Sequence, residues 1–216
     1  MLPQKSLSMD KNTYSVREEW LNAITHGFGA ALSIVGMLFL VLKSEVIAEL
    51  SSAYIYGASL VFLFSSSCIY HLAKDPGKKA WLRKVDHIAI YFLIAGSYTP
   101  FLALALDGTL AAVGLVVIWV IAFAGVLFKL TLGHNHPKIS ISTYAIMGWL
   151  ALFLIYPIYQ ALPLSGFLWL IIGGLCYSAG IPLYLLKSHH YTHALWHLCV
   201  VAGAACHFVA IYWFVF

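Results

Sequence analysis

Two pairs of polar side chains in this sequence are separated by four residues: Ser67 with His71, and His193 with His197. Residues i and i+4 of an α-helix lie on the same face, so each pair would project to one side of its helix. Two imidazoles from one helix and a third from a facing helix can bind Zn²⁺ and leave its fourth tetrahedral position open for water. The spacing indicates metal chemistry, with an interhelical hydrogen-bond network of the same histidines as the alternative.

Four further polar residues complete the set of candidates. Asp86 could ligate a metal, orient a ligand or accept a proton from water, although an Asp beside a basic segment is also typical of a helix N-cap. Glu19, Asn22 and His26 follow each other at i, i+3 and i+7, which is one helical stripe. Glu19 and Asn22 are interpreted as a solvated first turn or as partners of a metal ligand. For His26 we favour a structural role, or contact with a ligand, over ligation.

The elements that position these residues are predicted to be membrane-spanning helices. Of 216 residues, 62% are hydrophobic and 9% are charged, whereas an average soluble domain has roughly a quarter of its residues charged. Stretches without Asp, Glu, Lys or Arg cover 20–42, 50–73, 87–106, 108–128, 139–186 and 188–216. A spanning helix needs about 20 apolar residues, so five stretches fit one helix each and 139–186 fits two. This composition excludes a soluble enzyme, a secreted disulfide scaffold and a nucleic-acid-binding protein.

The chain is therefore predicted to be all-α, a polytopic bundle of seven transmembrane helices. Residues 1–23 are predicted to form a short cytoplasmic tail, and residues 24–216 a single transmembrane domain. The predicted helices cover about 24–43, 53–73, 87–106, 109–130, 140–160, 166–187 and 193–215. Pro100 and Pro182 fall inside spans and should kink them. The cysteines are interpreted as buried small hydrophobic residues.

The distribution of Lys and Arg predicts the orientation of the bundle. If the N-terminus is cytoplasmic, every Lys and Arg except Lys43 lies in the N-terminal tail or in a cytoplasmic connection. The positive-inside rule then places the N-terminus inside and the C-terminus outside. This topology brings the stripe of span 1, the end of span 2 and the starts of spans 3 and 7 to one depth.

The other histidines are expected to lie away from this cluster. His207 follows His197 by ten residues, roughly 15 Å further along the helix, and should bond to a neighbouring helix. His134, His136, His189 and His190 are expected in solvated connections.

The polar motifs occur in a fixed order along the seven spans: Glu19-x-x-Asn22-x-x-Thr25-His26-Gly27, Ser67-x-x-x-His71, Asp86-His87 and His193-x-x-x-His197. This ordered set resembles the hemolysin III family of bacterial membrane proteins, the prokaryotic branch of the progestin and adiponectin receptor superfamily. The resemblance covers essentially the whole chain. It implies a seven-helix protein of the bacterial cytoplasmic (inner) membrane, with zinc near the cytoplasmic face.

The resemblance also implies roles for individual residues. His71, His193 and His197 correspond to the zinc ligands, and Asp86 and Ser67 to residues close to the metal. Hydrolysis of lipid amides such as ceramide is proposed for some receptor members and for related alkaline ceramidases. Receptor members also have a long N-terminal domain and a C-terminal tail, which this sequence lacks, so no soluble hormone is expected as a partner.

Two functions from different classes follow, and the sequence leaves open whether the protein is an enzyme. The first is a zinc-dependent, ceramidase-like hydrolase of a lipid amide or ester, in which Asp86 moves the proton and Ser67 hydrogen-bonds the water or the oxyanion. The second is a non-enzymatic membrane protein whose structural zinc influences membrane order or energetics, with any cytolytic effect indirect. In both, membrane lipid is the expected substrate or ligand, and no nucleic acid is expected. Haem carriers, retinal proteins and ion transporters fit the polar residues less well.

Overall fold

The computed structural model describes residues 14–132, 137–186 and 189–216, and these residues fold almost entirely into helices. The α-helices are α1 (Val16–Lys43), α2 (Ile47–Leu72), α3 (Pro76–Pro100), α4 (Gly108–Thr131), α5 (Pro137–Trp149), α6 (Ile155–Ala161), α7 (Leu164–Leu185) and α8 (Thr192–Phe214). A π-helical turn, Phe101–Ala105, follows α3, and a 3₁₀ segment, Leu150–Leu154, joins α5 to α6. Residues 1–13 of the predicted tail, and His134 and His136, lie outside the described residues.

Seven stretches of the described chain are long and apolar enough to cross a membrane. The α5, 3₁₀ and α6 segments form one of these stretches, and each of the other long helices forms one more. The predicted seven-helix membrane bundle is therefore confirmed.

The first helix starts earlier than the hydropathy pattern predicts. Its N-terminus is Val16 rather than a residue near 24, because Ser15 and Glu18 form a capping box. The Ser15 hydroxyl accepts from the Glu18 backbone N–H at 3.3 Å, and the Ser15 N–H donates to the Glu18 carboxylate at 2.9 Å. Two otherwise unsatisfied N–H groups are thus bonded before the apolar stretch begins. The result places Glu19, Asn22 and His26 within regular helix.

The third helix also starts early, at Pro76 rather than at 87. Asp75 is its N-cap and accepts from the Lys78 backbone N–H at 2.8 Å, and Pro76 occupies the first helical position. An N-cap residue such as Asp, followed by proline at the first helical position, is a favourable start for a helix. Asp86 lies ten residues further on, about 15 Å along the axis, so the interpretation of Asp86 as an N-cap is wrong.

Proline accounts for both interruptions of regular helix. The helix α3 passes into the π-helical turn directly after Pro100, as its position predicts. The 3₁₀ segment before α6 is not predicted by the hydropathy pattern, which indicates a single helix over 140–160. Pro157 lies in the first turn of α6 and has no N–H for the carbonyl of Phe153, so regular i to i−4 bonding cannot continue through this point.

The helices pack in an order that brings the two ends of the chain together. The helix α1 lies along α2, α2 along α3, α7 along α8, and α8 returns to α1. The core contains large side chains from the inner helices, such as Tyr56, Phe64 and Tyr91. Gly96 of α3 lies directly against Ser59 of α2, where a Cβ would collide with that side chain. The start of α1, the end of α2 and the start of α8 consequently meet at one end of the bundle.

Candidate metal centre

Three histidine side chains converge at this end of the bundle. His71 lies in the last turn of α2, and His193 and His197 lie in the first two turns of α8. One ring nitrogen from each of them lies within 4.8 Å of the others, and all three residues are buried. The structure therefore brings together the three histidines that the sequence predicts, in an arrangement that could hold a metal ion.

Two of these rings are oriented by hydrogen bonds that they donate to oxygen atoms of α1. The His71 Nδ1 lies 2.6 Å from the Glu19 carboxylate, and the His197 Nδ1 lies 3.1 Å from the Asn22 carbonyl oxygen. Because a carboxylate and a carbonyl only accept, we assign a donating N–H to each Nδ1. In His71 and His197 the Nε2 atom is then the unprotonated nitrogen. This is the arrangement that a histidine ligand needs.

The unprotonated nitrogens of these two rings provide a test of whether a metal fits. The Nε2 atoms of His71 and His197 are buried and have no hydrogen-bond partner among the residues that the structure describes. An unsatisfied buried polar atom is costly, and three convergent imidazoles are a ligand set that zinc accepts. The residues present therefore fit a bound metal ion better than they fit a hydrogen-bond network.

Lys79 is a contact of the site that the sequence analysis missed. Its Nζ lies 2.8 Å from Glu19, whose other carboxylate oxygen bonds His71. The side chains of Lys79 and Glu19 are 28% and 18% exposed, so this ion pair is partly screened by solvent. Lys79 is hard to predict because it is one of several lysines in a basic segment, and only the fold selects it.

His26 contacts the cluster without joining it. Its ring stacks on His197, with centroids 3.5 Å apart and planes 9° from parallel, and it makes an edge-to-face contact with the ring of Phe64. The convergent group contains His71, His193 and His197 and does not include His26. Packing against a ligand is the role that this geometry supports for His26.

Ser67 and Asp86 are buried and lie outside the group of convergent ligand atoms. Ser67 is fully buried one turn before His71, and its hydroxyl has no hydrogen-bond partner in the described part of the chain. Asp86 is buried on α3, the helix that packs along α2. Asp86 does not belong to the group of convergent ligand atoms.

Tyr14 covers the cluster from the chain segment before α1, and the sequence analysis missed it. Its ring lies 4.8 Å from that of His193 and 6.1 Å from that of His71. Burial raises the pKa of the Tyr14 phenol above its ordinary value, so the hydroxyl stays protonated at neutral pH. The sequence does contain a signal for the position of Tyr14, because an aromatic residue directly before an N-cap often packs against the helix that follows. Tyr14 nevertheless falls within residues 1–23, which the composition predicts to be a polar tail.

An apolar cavity of about 290 Å³ adjoins the cluster. It is bounded by α3, α5, α6, α7 and α8 and the segments between them, and His26, Tyr184 and Trp196 form its wall on the histidine side. The Trp196 ring lies 4.9 Å from that of His193. His207 also lines the cavity and lies 3.2 Å from the Leu170 carbonyl of α7, which confirms its predicted bond to a neighbouring helix.

A multi-pass membrane protein with a buried three-histidine site at one end of a seven-helix bundle is the class that the fold and site define. The sequence profile of the haemolysin-III related family matches residues 14–208. The chain is 38% identical to Hemolysin-3 of Bacillus cereus over 210 residues, 96% of each protein. It is also 38% identical to the Hemolysin-3 homolog of Bacillus subtilis (strain 168) over 201 residues, 92% of this chain and 94% of that one.

A similarity to an animal protein extends the relationship. The chain is 32% identical to the monocyte to macrophage differentiation factor of Homo sapiens over 205 residues, which is 90% of this chain and 83% of that protein. This chain belongs to the haemolysin-III related family, within the progestin and adiponectin receptor superfamily. The predicted resemblance is thus confirmed.

Proposed function

We propose that the protein is a zinc-dependent hydrolase that cleaves an amide or ester bond of a membrane lipid. The observation that carries the proposal is the convergence of three buried imidazoles beside a mostly apolar cavity. Convergent polar groups at the edge of an apolar pocket are the usual arrangement of a site that binds a largely apolar molecule. We place the protein in the bacterial inner membrane with its N-terminus in the cytoplasm, which the distribution of Lys and Arg supports.

His71, His193 and His197 would hold the zinc, and Glu19 and Asn22 would keep two of these ligands in place through their Nδ1 atoms. Zinc bound there would supply a Lewis acid that polarises a carbonyl group and lowers the pKa of water toward about 7. Imidazole also serves nickel, copper and iron, so the identity of the ion is part of the proposal.

Asp86 and Ser67 would carry out the proton transfer and the charge stabilisation. Asp86 would take a proton from the attacking water and return it to the leaving amine or alkoxide. The Ser67 hydroxyl would donate a hydrogen bond to the carbonyl oxygen as negative charge develops on it. Water adds to the carbonyl carbon, the C–N or C–O bond breaks, and a free fatty acid is released.

The cavity would hold the acyl chain of the substrate. Its lining is mostly apolar, with Leu93, Ile94 and Leu175 among the contributors. A chain that moves there from the bilayer gains little hydrophobic free energy, because lipid tails are already an apolar environment. The cavity would therefore act by placing the scissile bond beside the histidines, and the polar head of the lipid would contribute the specificity.

The first experiment is metal analysis of detergent-purified protein by mass spectrometry. We expect about one zinc per chain in the wild type and loss of zinc in both His71→Ala and His193→Ala. The matched control is His207→Ala, a histidine of the same helix as His193 that bonds to α7 instead. A well-folded wild type without stoichiometric metal would remove the hydrolase mechanism.

The second experiment is turnover. Protein reconstituted with ceramide or with a lipid ester should release free fatty acid, and Gly174→Leu should slow that release while zinc stays bound. Gly174 lines the cavity, and a Cβ built on it meets nothing within 4 Å, so a larger side chain fills free space. Bound zinc without hydrolysis of any lipid amide or ester would favour the non-enzymatic role with structural zinc.

A further inference from the structure

The carboxylate of Glu18 bridges the starts of α1 and α8. Glu18 is only 7% exposed, although it lies in the first turn of α1. One carboxylate oxygen accepts from Ser15, at 2.9 Å from the backbone N and 2.7 Å from the hydroxyl. The other accepts from the backbone N–H of Tyr191 at 3.0 Å. The two oxygens thus serve two different elements, and the second bond spans a sequence separation of 173 residues.

Tyr191 has an unfavourable backbone conformation. Its φ of 64° and ψ of −3° lie in the left-handed region, and among the described residues it is the one non-glycine residue with positive φ. A residue with a Cβ is strained there, and such a conformation persists only when surrounding contacts hold it. The Tyr191 side chain makes no capping bond and is 47% exposed, so packing of the ring does not explain the conformation. The Thr192 hydroxyl bonds the Leu186 and His189 carbonyls within the same turn, whereas the bond from the Tyr191 N–H to Glu18 comes from a different helix.

The conformation of Tyr191 sets the direction in which α8 begins. Tyr191 is the N-cap of α8, and its carbonyl oxygen accepts from the Leu195 N–H at 3.0 Å. His193 follows two residues later, in the first turn. Glu19, the neighbour of Glu18, bonds His71 at the end of α2. Two consecutive carboxylates of α1 thus hold the two helices that provide the convergent histidines.

We propose that Glu18 is a positioning residue of the metal centre: it stabilises the left-handed conformation of Tyr191 and thereby places His193 opposite His71. This inference rests on the metal site of the proposed function. The ring of His190 also lies 3.5 Å from Glu18, but its side chain is 83% exposed, so solvent screens that contact. The bond to Tyr191 is the contact that carries the proposal.

The test is a set of paired substitutions read out as zinc affinity, measured by competition with a chromogenic chelator in detergent. Glu18→Gln removes one of the two acceptors and should weaken zinc binding by roughly tenfold or more. In the Tyr191→Gly background, which has no strain at positive φ, the same substitution should have an effect at least about threefold smaller. In the Tyr191→Ala background, which loses the ring but keeps the strain, the effect should remain undiminished.

Two control variants separate this role from a lost helix cap and from a lost surface charge pair. Glu49 has the corresponding capping position in α2, where it accepts from the backbone N–H groups of Glu45 and Val46. Glu49→Gln and His190→Ala should leave zinc affinity within about twofold of the wild type. The thermal midpoint of metal-free Tyr191→Gly protein should equal or exceed that of Tyr191→Ala, a readout that needs neither zinc nor Glu18.

The outcomes distinguish this inference from the proposed function. A wild type that binds no metal overturns both. A wild type that binds zinc, with Glu18→Gln binding it equally well or weakened equally in the glycine and alanine backgrounds, overturns the positioning role alone. If Glu18→Gln yields no folded protein, its recovery in the Tyr191→Gly background but not in the Tyr191→Ala background supports the role. Recovery in neither background overturns it.

Discussion

Removing the Glu19 side chain should weaken metal binding without touching a metal ligand. Glu19 accepts a hydrogen bond from the His71 Nδ1 at 2.6 Å and pairs with Lys79 at 2.8 Å. In Glu19→Ala the His71 ring loses the contact that fixes its orientation and increases the basicity of its Nε2. In Glu19→Gln an amide oxygen can still accept from Nδ1, so only the contribution of the charge is lost.

The contacts of Glu19 set the size of the expected effects. Loss of a partner that orients a histidine ligand typically reduces metal affinity about 10–100-fold, or about 1.4–2.8 kcal/mol. A 2.6 Å bond to a carboxylate that is 18% exposed favours the upper part of this range for Glu19→Ala. We expect about tenfold for Glu19→Gln. Lys79→Met should cost only about 0.2–1 kcal/mol, because that ion pair is partly exposed.

The assay is zinc competition with a chelator on detergent-purified protein, with Glu49→Ala as a carboxylate control in a different helix. The expected order of zinc affinity is wild type, then Lys79→Met, then Glu19→Gln, then Glu19→Ala. Wild-type affinity in Glu19→Ala would refute the reasoning. So would a loss in Lys79→Met as large as that in Glu19→Ala, since Lys79 would then act on the metal site by another route.

Three further outcomes are expected. Asp86→Asn and Ser67→Ala should both keep zinc bound. Lipid hydrolysis, measured as released fatty acid, should fall about 10²–10⁴-fold in Asp86→Asn and about 10²–10³-fold in Ser67→Ala. Loss of zinc in either variant would show a ligand role instead. Gly173→Ala should lower the thermal midpoint by roughly 2–10 °C, because its Cβ would collide with the His207 ring. Gly174→Ala is the control: its Cβ meets nothing within 4 Å, so the midpoint should stay unchanged or rise. A chelator should lower the thermal midpoint of the wild type but leave that of His193→Ala unchanged, because a ligand present at 100 times its Kd stabilises the native state by about 2.7 kcal/mol.

The seven-helix membrane bundle could be predicted because its signal is local. Each span is a continuous apolar stretch of the length that a bilayer requires, and no knowledge of neighbours is needed to see it. The i, i+4 spacing of Ser67 with His71 and of His193 with His197 is local in the same sense. The alternation of spans across a membrane then brings the two pairs to one depth, and the structure shows that ring nitrogens of the three histidines converge.

The ends of the helices could not be predicted from hydropathy, because caps decide them. Ser15 with Glu18 extends α1, and Asp75 with Pro76 extends α3, both through polar residues that a search for apolar stretches ignores. The start of α6 is likewise not visible in the hydropathy pattern. It depends on Pro157, which removes one i to i−4 hydrogen bond from the helix that would otherwise continue through this point.

The partners of the histidines were determined only by the tertiary structure. Glu19 could be expected near the site, but its bond to His71 depends on how α1 packs along α2. Tyr14 and Lys79 lie in segments whose composition suggests only solvation, and the fold places them against His193 and Glu19. The carboxylate of Glu18 meets Tyr191 across 173 residues of chain. Composition and spacing determine which helices form and which faces they present, whereas contacts between distant residues depend on the packing of whole helices, which no single segment encodes.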